Sequence, residues 1–287
     1  MTDPVQPHAD DAQTTELAIG GSAGQGPLSP NELIEQLPGL EPERQVTDWG
    51  RSERIEGLVD RTVYEFLYHY WFRVEVEGIE NVPLDDGALI VANHSGVLPS
   101  DSAMIAKALR DEHPRRRALH LVTEPRLAAV PALGMLLRKL GAVPEHPANI
   151  HRLLFDERQL VLAFPEGRQA IRKPLSERYR LRAFDRSELL VAAIRAEVPI
   201  VPLAVLGAEE AMPVFAALRT VARVPDLPLT SPLPLPSKFK LRFLEPVGTA
   251  GARASVREER TLAEEVRALI QENLLELVAA RRSVWLG

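Results

Sequence analysis

The chain has 287 residues, 45% of them apolar and 26% charged, with a formal net charge of −6. That length buries a full core and fits one catalytic domain of roughly 230 residues plus a tail better than two equal domains. The acidic balance argues against a nucleic-acid partner, which would need a basic excess to displace counterions from phosphate; the absence of cysteine removes disulfides, thiolate metal sites and cysteine nucleophiles, and suits a cytoplasmic protein.

Residues 1–45 are rich in Gly, Pro, Gln, Ser and acid. They lack the apolar density that offsets ordering entropy, so a disordered tail is expected, with the catalytic domain spanning 46–287. One island stands out: Ser29-Pro30-Asn31-Glu32 combines a capping residue, a proline at the first helical position and a glutamate at the third, followed by Leu33, Ile34 and Leu37. A short docking helix and a loose linker both fit it. The first residues carry acid and no basic n-region, so no signal peptide is expected. No stretch approaches the about 20 consecutive apolar residues of a membrane span, so membrane contact is expected to be peripheral.

The folded part opens with helical spacing of Ile55, Leu58, Val59, Val63, Phe66, Leu67 and Tyr70, which predicts an amphipathic helix over 52–70. Its aromatic end, with Phe66, Tyr68, Tyr70 and Trp71, is the candidate membrane contact, with core packing as the alternative. Strict alternation over 72–77 predicts a half-buried strand. Strands then fit 88–92, 118–122, 160–164, 200–206 and 239–243, and helices fit 102–112, 131–140, 148–158, 186–197 and 256–281. This alternation predicts an α/β fold, a single domain whose mixed, largely parallel sheet is covered by helices on both faces.

Two polar loops fall at the carboxyl ends of expected strands, where open α/β sheets bind ligands: Asn93-His94-Ser95-Gly96 and Pro165-Glu166-Gly167-Arg168. His94 is a candidate general base, since neutral imidazole suits proton abstraction near pH 7. Asp101 is its candidate partner, able to fix the tautomer and stabilise the imidazolium. Asp101 also precedes the apolar-periodic run Ala103, Met104, Ile105, Ala108 and Leu109, so it reads equally as a helix cap. The two roles are compatible, because one oxygen can cap while the other accepts from His94.

Three blocks in order carry a resemblance: Asn93-His94 with Asp101, then Phe164-Pro165-Glu166-Gly167-Arg168, then Ile200-Val201-Pro202-Leu203-Ala204-Val205. Together with Gly141-Ala142-Val143-Pro144 between the first two, they resemble the glycerolipid acyltransferase family of the lysophosphatidic-acid-acyltransferase type, over about residues 74–247. The resemblance implies O-acyl transfer from acyl-coenzyme A or acyl carrier protein, used as co-substrate with no resident cofactor, to the hydroxyl of a lysophospholipid-like glycerol acceptor. It implies His94 and Asp101 as the catalytic pair, and Glu166, Gly167 and Arg168 as residues that hold the acceptor. It also implies a lipid acceptor and an acyl thioester as partners, with acyl carrier protein as a possible one; with the cysteine-free, span-free composition, a cytoplasmic enzyme peripheral on the inner face of a membrane is expected. Two departures are visible. Six residues separate His94 from Asp101 where the family pattern has four, and Arg168 follows Gly167 directly where the family has a small residue between. Lys173 or Arg172 is the alternative phosphate ligand.

A basic stretch supports an anionic ligand without the resemblance. Arg168, Arg172, Lys173, Arg178, Arg180, Arg182 and Arg186 lie against only Glu177 and Asp185. A solvated loop is the alternative. A Gly20-Gly21-Ser22-Ala23-Gly24 match to a hydrolase elbow lacks the flanking strand and helix. His146 and His151 have no acidic partners in sequence, and no metal site is expected. The remaining readings are a neutral acceptor, such as diacylglycerol or a long-chain alcohol, and a non-catalytic lipid-binding module of the same fold.

Overall fold

A computed structural model of the chain describes residues 48–94, 100–124, 131–171, 173–218, 227–231, 233–251 and 256–285. The expected tail over 1–45, with the island at Ser29, lies outside the described residues, as do residues 95–99.

Helix α1 (Glu53–Val59) starts where the Ser52 side chain accepts the Ile55 N–H, with Glu53 and Glu56 complementing the dipole in its first turn. It runs on through two π-helical turns, Asp60–Tyr64 and Leu67–Trp71. The strand expected over 72–77 shrinks to β1 (Glu75–Glu77), because Phe72 ends the helical run and Arg73 takes a positive φ of 46°. Then follow β2 (Ala88–Ala92), α2 (Ser100–Asp111), β3 (Leu119–Thr123), α3 (Pro131–Lys139), β4 (Ala142–Pro144), α4 (Pro147–His151, continued by a π turn to Asp156) and β5 (Leu160–Ala163). The second half holds the short α5 (Arg168–Ile171), α6 (Glu188–Ala196), β6 (Ile200–Leu206), the short α7 (Ala208–Ala211), the strands β7 (Val214–Leu218) and β8 (Leu227–Thr230), β9 (Lys240–Phe243) and α8 (Val256–Ala280).

Seven strands form one sheet in the order β1-β9-β6-β2-β5-β3-β4, and β7 and β8 pair apart from it. β6, β2, β5, β3 and β4 run parallel; β9 is antiparallel to β6 and carries β1 in parallel. The fold is therefore the mixed, mostly parallel α/β sheet that the alternation predicts, with the departure from parallel confined to one edge. The central strands are apolar throughout because both faces are covered. Leu89 and Val91 of β2 and Val161 and Ala163 of β5 face one core, with Leu189, Leu190 and Ala193 of α6 and Val266, Ile270 and Leu274 of α8. Ile90 and Leu162 face the other, with Met104, Ile105, Ala108 and Leu109 of α2, and with Phe72, whose ring stacks on Phe239 at 4.3 Å.

This two-sided covering fixes where a cleft can form. β2 and β5 are direct neighbours, yet β2 leads into α2 on one face and β5 leads toward α6 on the other. The two chains diverge beyond the carboxyl ends of the strands, which is the switch-point geometry at which open α/β sheets bind ligands. The loop after β2 carries His94, and the turn after β5 carries Glu166.

Candidate active site

Asn93 is the first residue beyond β2 and is 1% exposed. Its side chain does the work of another strand residue: Nδ2 donates to the Val205 carbonyl and Oδ1 accepts the Val205 N–H, each at 2.8 Å. β6 extends past the end of β2, since Ala92 lies opposite Leu203, so the asparagine caps an otherwise unpaired stretch of ladder. This pins the backbone that presents His94.

The His94 ring stacks on Phe164, with centroids 4.3 Å apart, and its Nδ1 lies 2.7 Å from Asp101 Oδ2. Asp101 is fully buried in the first turn of α2, and its Oδ1 accepts the Ser102 N–H at 2.7 Å. The helix starts at Ser100, two residues before the position expected from sequence, which draws Asp101 inside it. A carboxylate has only acceptors, so Nδ1 carries the hydrogen and Nε2 is left with its lone pair. The His94 side chain is 18% exposed. Burial works against its charged form, but the charge and hydrogen bond of Asp101, with Glu166 behind, outweigh burial and hold its pKa above the ordinary imidazole value; Lys173 pulls the other way.

Glu166 is fully buried. One oxygen accepts the His94 N–H at 3.4 Å and the other accepts the Arg182 N–H at 2.7 Å. Lys173 Nζ lies 3.6 Å from Glu166 and 2.7 Å from Glu209 on α7. Buried carboxylates and a buried ammonium need this mutual compensation. Burial raises the pKa of Glu209, and Lys173 opposes the rise. Gly207 makes the bend that brings Glu209 here: its φ is +103°, and a Cβ would lie 2.4 Å from the Lys238 carbonyl oxygen. Gly167 closes the turn after β5 at φ +58°, with Arg186 packed against it so that a Cβ would meet Nε at 3.2 Å. Arg186 is itself held by Glu145 at 2.6 Å and Glu124 at 2.9 Å, which follow β4 and β3.

The structure thus brings His94, Asp101, Glu166, Gly167 and Lys173 together. Arg168 begins α5, but its side chain lies outside the described residues, as does Arg172. The basic stretch is less open than its composition implies. Lys173, Arg182 and Arg186 are paired with Glu166, Glu209, Glu177, Glu124 and Glu145, mostly from distant segments, and Arg178 lies over the Tyr179 ring. Lys173 in particular is 6% exposed and turned toward carboxylates. Neither His146 nor His151 joins the site: His146 caps α4 by accepting the Ala148 N–H, and His151 packs on Phe155. Among the described residues, the one convergence with metal-ligand atoms is Glu65, His69 and Asp111, where Lys107 Nζ already contacts both carboxylates at 2.8 and 2.9 Å. Sequence reasoning missed Glu209, Glu145 and the pairing of Asn93. The available signal was that all three follow strand ends on the cleft side.

A family model described as Acyltransferase matches residues 73–206, the segment from just before β1 to the end of β6. An uncharacterized protein of Mycobacterium tuberculosis is 34% identical over 294 residues, covering 94% of this chain and 82% of its own. One of Mycobacterium leprae is 36% identical over 290 residues, covering 96% of this chain and 78% of its own. Among solved structures, the 1-acyl-sn-glycerophosphate (LPA) acyltransferase PlsC from Thermotoga maritima superposes with a TM-score of 0.55 over 80% of each chain, at 22% identity. The chain therefore belongs to the acyltransferase family, and its fold is that of the PlsC-like glycerolipid acyltransferases.

Proposed function

We propose that the chain moves a fatty-acyl group from acyl-coenzyme A or acyl carrier protein to the hydroxyl of a lysophospholipid-like glycerol acceptor, with His94 as general base and Asp101 as its orienting carboxylate. The observation that carries this is the 2.7 Å contact between His94 Nδ1 and Asp101 Oδ2 at the switch point of the sheet. With Nδ1–H given to Asp101, Nε2 takes the proton of the acceptor hydroxyl as its oxygen attacks the thioester carbonyl carbon. The tetrahedral oxyanion then collapses, the C–S bond breaks, and the proton on Nε2 passes to the departing thiolate. No acyl-enzyme is required. A non-catalytic lipid-binding module has no use for an imidazole whose tautomer is fixed by a buried carboxylate.

The test is a transfer assay with radiolabelled long-chain acyl-coenzyme A and a panel of acceptors. His94→Ala should lose roughly 10²–10⁴-fold in kcat/KM or more while the protein remains folded. Near-wild-type turnover would remove the mechanism.

A second reading, a neutral acceptor such as diacylglycerol or a long-chain alcohol, is favoured by one observation. Lys173 and Arg186, the cations flanking Gly167, are already bound to protein carboxylates. Attachment is proposed to be peripheral, on the inner face of a membrane: no helix among the described residues is long and apolar enough to cross one, and α1 with its π turns exposes Leu58, Val63, Phe66 and Tyr70. A carbonate wash should release the protein from membranes; retention would contradict peripheral binding.

A further inference from the structure

The segment over 179–182 is gripped from two sides. Toward the cleft, the Tyr179 N–H is donated to Glu209 and the Arg182 N–H to Glu166. Away from it, the Gln271 side chain of α8 donates through Nε2 to the Tyr179 carbonyl and accepts the Leu181 N–H through Oε1, both at 2.8 Å. One amide thus matches a donor and an acceptor of the loop backbone, in the manner of a paired strand. The grip is reinforced at the end of α8. Arg281 donates to Glu210 at 2.5 Å and to the Tyr179 hydroxyl at 2.6 Å, and that hydroxyl bonds Glu210. The segment needs holding, because Tyr179 has a φ of +65°, a left-handed conformation that costs a side-chain-bearing residue free energy unless its surroundings impose it.

These contacts form one chain. Gln271 fixes Tyr179 and Leu181; the next residue, Arg182, holds one oxygen of Glu166; the other oxygen of Glu166 holds the backbone of His94. Gln271 and the two carboxylates of α7 all lie beyond residue 206, where the family match ends. We propose that Gln271 is a positioning residue for acyl transfer: through the 179–182 segment it aims Glu166, and thereby His94, from a helix outside the matched block. This rests on the reading of His94 as the base.

The 287-residue chain carries the test, with radiolabelled palmitoyl-coenzyme A as donor and a lysophosphatidate as acceptor. Gln271→Met removes both amide bonds and keeps the bulk. Val266→Ala, a fully buried position of the same helix, removes packing alone. His94→Ala is measured beside them. The expected result for Gln271→Met is a kcat lower by about 10- to 100-fold, the scale of a misplacement on the order of 1 Å, with the donor's KM unchanged. Its acid limb in kcat/KM should move to lower pH, because the charge of Glu166 drifts from His94 while Asp101 and Lys173 stay. Val266→Ala should lower the melting temperature and leave kcat and the pH profile alone. Wild-type kcat and pH profile in Gln271→Met, with His94→Ala inactive, would overturn the proposal, as would parallel losses in Gln271→Met and Val266→Ala. Activity retained in His94→Ala would overturn the base reading and the proposal with it. If Gln271→Met does not fold, Gln271→Glu keeps the acceptor for Leu181, loses the donor to Tyr179, and is held to the same kcat outcomes.

Discussion

Asp101 serves two elements at once: one oxygen lies 2.7 Å from His94 Nδ1, and the other accepts the Ser102 N–H at the start of α2. Asp101→Asn separates these duties. The amide oxygen can still accept the Ser102 N–H, so folding should persist. The amide nitrogen can donate to Nδ1, which would move the ring hydrogen to Nε2 and leave no lone pair toward the acceptor. A kcat loss of about 10²–10⁴-fold is expected. The pH profile adds a second readout. A base must be neutral, and His94 is held above the ordinary imidazole value, so the wild-type acid limb should inflect above that value. In Asp101→Asn the inflection should drop, since the main charge raising it is gone. An acid limb in the same place in both proteins would show that His94 does not set it.

Asn93 replaces a missing strand pair with its own amide, and its removal should be felt as both stability and rate. Asn93→Ala strips the Val205 N–H and carbonyl of their partners in a buried position. Leaving such groups unsatisfied costs about 1–3 kcal/mol, or about 2–4 °C of melting temperature per kcal/mol for a domain of this size. Because His94 is the next residue, kcat should fall more than either KM. A variant that melts lower but turns over normally would make Asn93 purely structural.

The strands β2, β5 and β6 are legible as short continuous apolar runs, too short for ordinary helices and ending at turn residues, with length and flanks rather than periodicity deciding. His94 stands out as a loop histidine just beyond a strand and Asp101 as an acid ahead of an apolar-periodic helix, whereas Glu166 is singled out only through the resemblance of the Phe164–Arg168 block to the family. The antiparallel direction of β9 was not legible. The run over 239–243 reads the same either way, and only its pairing with Leu203–Leu206 decides. Glu209 and Gln271 were hidden for a related reason. A glutamate on a short helix and a glutamine in a long amphipathic one are ordinary surface residues until the fold puts them against Lys173 and the 179–182 backbone. Composition also could not show that Arg186 within the basic stretch is paired, because the carboxylates that hold it follow β3 and β4, far away in sequence.

His120 of β3 makes stability depend on pH away from the site. It is 5% exposed, and burial, with the Arg51 charge beside it, lowers its pKa from 6.5 to about 4. Below pH 6.5 the unfolded chain takes up a proton at this position that the folded chain refuses until about pH 4. The unfolded state therefore binds more protons in that window, and stability falls as pH falls through it. His120→Gln should flatten this part of the curve, measured as denaturation midpoint against pH. An unchanged slope between pH 6.5 and about 4 would show that His120 charges as readily in the fold as outside it.

The acceptor's class turns on Arg168. A phosphate monoester carries between one and two negative charges near neutral pH, and a guanidinium meets it with paired, charge-assisted hydrogen bonds. Lys173 is poorly placed for that duty, being buried between Glu166 and Glu209, and Arg186 is held by Glu124 and Glu145. A phosphate-bearing acceptor would therefore lean on Arg168, at the start of α5 directly after Gly167. Arg168→Ala should raise the KM for a lysophosphatidate by the equivalent of about 1.5–3 kcal/mol, the scale of a hydrogen bond to a charged group, with the donor's KM unchanged. Lys173→Met should behave differently. It leaves Glu166 and Glu209 uncompensated in the interior, so kcat and stability should fall together while the acceptor's KM holds. A rise in the donor's KM alone in Arg168→Ala would assign the guanidinium to coenzyme A. An unchanged KM for both substrates would remove the phosphate from the acceptor and leave diacylglycerol or a long-chain alcohol at the same histidine.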